Sequence, residues 1–115
     1  LDVHFEAWLG ESDADPFIPA MVEDFKAKGI AARVVSMPCM ELFEEQDEAY
    51  RKSVLPCSVK AVAVEAGTSF GWAKYADDCV CIDHFGASAP AGTLFKEFGF
   101  TAENIVAKAL KVLGK

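Results

Sequence analysis

From Val59 to Ala66 the chain is apolar almost without interruption: Val59, Ala61, Val62, Ala63, Val64 and Ala66 are broken only by Lys60 and Glu65. An apolar run without alternation predicts a strand covered on both faces. Cys79-Val80-Cys81-Ile82 is a second run of this kind. Strands buried on both sides need a layer of helices above and another below. They therefore predict an α/β domain built on a mostly parallel sheet.

The remaining pattern agrees. Leu1 to Trp8 alternates, with Val3, Phe5 and Ala7 opposite His4, Glu6 and Trp8, which predicts a strand with one mixed face, at the edge of the sheet. Asp15-Pro16 opens a helix, Asp15 capping free amides and Pro16 standing where its missing N–H does no harm. Phe17, Ile18, Met21, Val22 and Phe25 form one helical stripe, ended by Lys28 and Gly29. Ile30 to Met37 reads as a strand stopped by Pro38, and Met40 to Leu55 as one helix ended by Pro56. Phe70 to Tyr75 predicts a short helix and Pro90 to Phe98 another, closed by Gly99. Thr101 caps a last helix whose stripe is Ile105, Val106, Ala109, Leu110 and Leu113. No repeat or linker divides the chain, so residues 1–115 are read as a single domain.

A chain of 115 residues that is 52% hydrophobic buries a conventional core without metals or disulfides. No apolar run reaches the roughly 20 residues of a membrane helix. With 18 acidic and 11 basic residues, a net charge of −7, the composition argues against nucleic acid, whose phosphates are held by clustered Lys and Arg. Cys39, Cys57, Cys79 and Cys81 are irregularly spaced, which favours reduced thiols and a cytoplasmic protein over a disulfide framework. The start at Leu1, without a Met and almost directly on a strand, suggests a piece of a longer chain or a processed product.

In open α/β sheets, ligands bind beyond the carboxyl ends of the strands. Two glycine-rich loops fall there. Gly67-Thr68-Ser69-Phe70-Gly71 and Gly86-Ala87-Ser88 each lead toward a helix, so Gly67, Thr68, Ser69, Gly86 and Ser88 are the candidate anion site. Neither loop carries a phosphate fingerprint, and small residues that let helix and strand approach are the preferred explanation of both. Cys79-x-Cys81-x-x-His84 has metal-ligand residue types, but a structural zinc site needs four ligands and no partner pair is at hand; buried small thiols are the better reading. Cys39 or Cys57 with His84 or His4 supplies the residue types for nucleophilic catalysis, without evidence of proximity. No catalytic, metal or cofactor residue is assigned. Asp83 is expected to bond amides of the loop it precedes. Glu44, Glu45, Asp47 and Glu48 are read as a solvated helix face. Glu65, in a run that should be buried, must be paired or protonated.

Several segments, namely Arg33 to Pro38 (RVVSMP), Glu41 to Gln46 (ELFEEQ), Tyr50 to Pro56 (YRKSVLP), Ala63 to Gly67 (AVEAG), Ile82 to Gly92 (IDHFGASAPAG) and Phe98 to Thr101 (FGFT), closely resemble the C-terminal domain of transketolase. The resemblance runs from about Val22 to the end. It implies a three-layer αβα domain with a five-stranded mixed sheet whose first strand is antiparallel to the rest. It also implies a parent enzyme that moves two-carbon ketol units between sugar phosphates with thiamine diphosphate and a divalent cation, both held by preceding domains and not by this one. Three places depart from the pattern. The turn after the first strand is longer, an Arg expected between Ala61 and Val62 is absent, and the loop between Tyr75 and Cys79 is shorter. Rewriting concentrated at one end suggests an engineered derivative.

These readings combine into a non-catalytic domain that packs and associates, either with itself as a homo-oligomer or with the other domains of its parent enzyme. A rival reading makes residues 8–18 a remodelled binding loop anchored by Trp8, Leu9, Phe17 and Ile18. A third places a designed site on His4, Glu6 or a cysteine.

Overall fold

The computed structural model describes residues 2–8 and 17–115, with side chains from residue 19 onward. Its elements are β1 (Asp2–Trp8), α1 (Phe17–Ala27), β2 (Ala31–Val35), α2 (Met40–Glu44), α3 (Glu48–Val54), β3 (Lys60–Glu65), a single 3-10 turn (Trp72–Lys74), β4 (Asp78–Val80), α4 (Ala91–Glu97) and α5 (Ala102–Val112). The described sheet has four strands in the order β2-β1-β3-β4. All three pairings are parallel, with Phe5 of β1 opposite Val34 of β2 and Val62 of β3, and Ala63 opposite Cys79 of β4.

This corrects three expectations. β1 lies inside the sheet, paired on both sides, and not at an edge; which backbone a strand bonds is not encoded in how its side chains alternate. Among the described residues the sheet has four strands, not five, and β1 is not antiparallel to its neighbours. A helix or helical turn follows each of the first three strands and carries the chain back to the end where that strand began, so the next strand enters in the same direction.

β3 decides the layering. Val62 and Val64 are buried among Met21 and Phe25 of α1 and Ile105, Val106 and Ala109 of α5, with Ile30, Val80 and Phe100 completing the cluster. Ala63, between them in sequence, faces the opposite side and meets Met37 and Trp72, with Met40, Phe43, Leu55 and Tyr75 packed around. Successive residues of a strand point to opposite faces, so one unbroken apolar strand feeds two cores. The expected three layers are present.

The helix ends follow from local chemistry. Gly29, at φ 68°, lets the chain leave α1 in the left-handed region, and the Ile30 amide reaches back to the Phe25 carbonyl at 2.9 Å while the Ile30 side chain enters the core. The single helix expected over 40–55 is two. Asp47 is extended, at ψ 159°, and its carboxylate accepts from the Tyr50 amide at 2.8 Å, starting α3 anew. The expected cap at Asp15 lies outside the described residues.

Candidate functional site

The carboxyl ends of β3 and β4 open into two loops, residues 66–71 and 81–90, and these are tied to each other. The Ile82 amide donates to the Gly67 carbonyl at 2.6 Å, extending the sheet pairing past the strands. Asp83 then turns its carboxylate onto the neighbouring loop, where Oδ1 accepts from the Ser69 amide at 2.9 Å and from the Thr68 hydroxyl at 3.1 Å. The Thr68 hydroxyl in turn accepts from the Phe70 amide at 3.3 Å. The Ser69 amide does most to hold the Asp83 carboxyl below its ordinary value, since hydrogen bonds to the charged form favour it. Asp83 was expected to bond the loop it precedes; it bonds the other one, because the two loops leave adjacent strands side by side.

That geometry bears on the expected anion site. The Ser69 amide and the Thr68 hydroxyl, its strongest donors, are engaged by the chain's own carboxylate. Gly86 and Ser88 stand exposed on the second loop. Thr68 and Ser69 are thus brought together with Asp83, and the loop closes on an internal anion. The other expected anchors divide. Trp8 ends β1 and Phe17 and Ile18 open α1 in backbone, while their side chains, Leu9 and the rest of the expected binding loop lie outside the described residues.

The thiols are separated in role. Cys79 and Cys81 are half-buried against the Met37–Ala63–Trp72 cluster, and burial pushes the Cys81 thiol well above its ordinary value, with the neighbouring Cys79 adding to the shift. Cys39 donates to Glu41 Oε2 at 3.4 Å, and Cys57 is exposed. His84 packs edge-on against Phe98, with ring centroids 4.7 Å apart, and its Nδ1 lies 2.8 Å from the Phe85 carbonyl oxygen. Among the described residues no three His, Cys, Asp or Glu side chains converge as a metal site. Glu65 is half-buried, and burial raises its carboxyl above the ordinary value.

At the opposite end of the sheet is a feature the spacing of residues did not reveal. A cavity of about 470 Å³ lies between α3, the start of β3 and the 3-10 turn, lined by Arg51, Leu55, Val59, Lys74 and Tyr75 among others. Glu44, read from sequence as a solvated carboxylate, is its hub. It accepts from the Tyr75 hydroxyl at 2.8 Å, Lys74 at 2.7 Å and Arg51 at 3.2 Å, and the bonds from Lys74 and Tyr75 hold its carboxyl low. Glu44 and Tyr75 are 31 residues apart, so only the packing of α2 on the 3-10 turn brings them together. Every cation at this cavity has a protein carboxylate beside it: Arg51 and Lys74 share Glu44, and Lys52 pairs with Glu48.

The family described as "Transketolase-like TK C-terminal domain" matches residues 17–101. A transketolase of Nostoc sp. is 52% identical over 96 residues, covering 80% of this chain and 14% of its own length. Transketolase 1 of Escherichia coli is 53% identical over 98 residues, covering 82% of this chain and 15% of its own. Among solved structures, the transketolase of Leishmania mexicana superposes with a TM-score of 0.81 at 39% identity, over 96% of this chain and 16% of that one. The chain spans about one-seventh of the length of these curated relatives. With about three-quarters of its residues matched by the family, and half of the aligned positions identical to proteins of that name, the chain belongs to the transketolase C-terminal domain family.

Proposed function

We propose that this chain is a packing and association domain that works with the other domains of a transketolase and does not carry out ketol transfer itself. The observation that supports this most directly is the use made of Asp83. It sits in the segment that carries the strongest family resemblance, at the end of the sheet where α/β domains bind ligands, and its carboxylate is spent on fixing two loops to one another. The described residues do not fit thiamine diphosphate and its divalent cation. The hydroxyl and amide suited to a phosphate are engaged by Asp83, and the carboxylates do not converge for a cation. On this reading both are held by the rest of the parent enzyme. Four free thiols support a reducing compartment such as the cytoplasm.

Titration calorimetry of the purified chain with thiamine diphosphate and Mg²⁺, followed by an assay with a ketose phosphate donor and an aldose phosphate acceptor, tests the reading. Neither saturable heat nor turnover is expected. Turnover, or cofactor retained through gel filtration, would overturn it.

A further inference from the structure

Among the described residues, two phenylalanines stand outside both cores. Phe70 is 89% exposed and Phe85 99% exposed, far beyond Leu42 at 58% or Tyr50 at 52%. Each sits on one of the two loops that Asp83 joins: Phe70 directly follows Ser69, and Phe85 lies two residues beyond Asp83. Backbone reach then places their Cα atoms no more than about 20 Å apart, on one end of the sheet. The backbone beneath Phe70 is held by the Ser69–Asp83 and Phe70–Thr68 bonds, and next to Phe85 the His84 ring packs edge-on against Phe98. Large apolar side chains on fixed loops are the arrangement of interface anchors, whose ordering cost is already met before binding.

We propose, on the reading of the previous subsection, that Phe70 and Phe85 are the anchors by which this domain docks onto the preceding part of a transketolase polypeptide. Three observations select that occupant. The relatives carry some six times more polypeptide than this chain, covalently attached. Two phenylalanines bury about 300–500 Å², well short of the roughly 800 Å² per partner of a stable complex between free molecules. A tethered domain needs less, because the linker holds it at about millimolar effective concentration. Finally, a second copy brings another net charge of −7 and is repelled. The surface that receives the two rings is therefore an apolar recess with a neutral or basic rim on the same polypeptide.

The test is a full-length chimera in which this chain replaces the corresponding C-terminal segment of the Escherichia coli enzyme. It is compared with the same chimera carrying Phe70→Ser and Phe85→Ser. Limited proteolysis measures release of the domain, and thermal melting of the isolated chain with and without the substitutions serves as the folding control. Release at least about tenfold faster in the double variant is expected, from the usual worth of two anchors. The isolated chain should melt at the same temperature either way, since both rings are outside its cores. Equal release rates that are both slow would overturn the docking proposal alone. An unsubstituted domain that is shed as fast as an unstructured tail, with both halves folded, would overturn the reading beneath it. Concentration-dependent dimers of the isolated chain that vanish on substitution would assign the two rings to a second copy and so also overturn the proposal.

Discussion

Glu65 ends β3 with its carboxyl half-buried and shifted upward by burial from an ordinary value of 4.5. The folded protein therefore holds a proton that the unfolded chain has already released. Stability falls as pH rises from about 4.5 through the raised folded value, and the deficit persists at neutral pH. Glu65→Gln should remove that decline and be the more stable protein at pH 7; urea unfolding between pH 4 and 7 checks this, and parallel curves for the two proteins would refute it. Asp83 has the opposite sign. Its lowered carboxyl contributes stability above 3.8 that is lost as pH falls through the folded value, so acid alone loosens the two loops. Both residues stood out in the sequence for a stated reason, one as a carboxylate in an apolar run, the other as an acid leading a loop. The partner of Asp83 did not, because that carboxylate acts across 14 residues on Ser69.

The helix boundaries show how far local chemistry reaches. α5 starts as the residues demand: the Thr101 hydroxyl accepts from the Asn104 amide at 3.3 Å, and the Asn104 side-chain amide donates to the Gly99 carbonyl at 2.8 Å. Gly99 lies at φ 84°, and a Cβ placed there would come within 2.8 Å of Asn104 Nδ2. Gly99→Ala should therefore cost about 1–3 kcal/mol from the left-handed backbone together with the displaced amide, measured by denaturant unfolding. A loss below a few tenths would show that Asn104 moves freely and does not brace the turn. The break between α2 and α3, by contrast, was hidden. Composition from Met40 to Leu55 favours helix throughout, and only the capping geometry of Asp47 divides it.

At the scale of the molecule, stability resides in the two cores on either side of β3. Phe25 is fully buried among α1, α5 and the sheet, and Phe25→Ala should cost about 3–5 kcal/mol. Calorimetric melting measures it, and a loss near 1 kcal/mol would mean that the α1–α5 layer collapses readily around the cavity. Residue identity and periodicity alone were enough for the two-sided burial of β3, the end of α1 at Gly29 and the start of α5 at Thr101, the apolar stripes of α1 and α5, and the family the chain belongs to. These are local properties, set by periodicity, capping and residue identity. Tertiary structure alone decided that β1 lies inside a parallel sheet, that Glu44 gathers Tyr75, Lys74 and Arg51, and that Asp83 joins the two loops bearing Phe70 and Phe85. Strand order and long-range polar contacts depend on which backbone and side-chain groups meet in space, and residues 14 to 31 positions apart carry no periodic signal of that meeting.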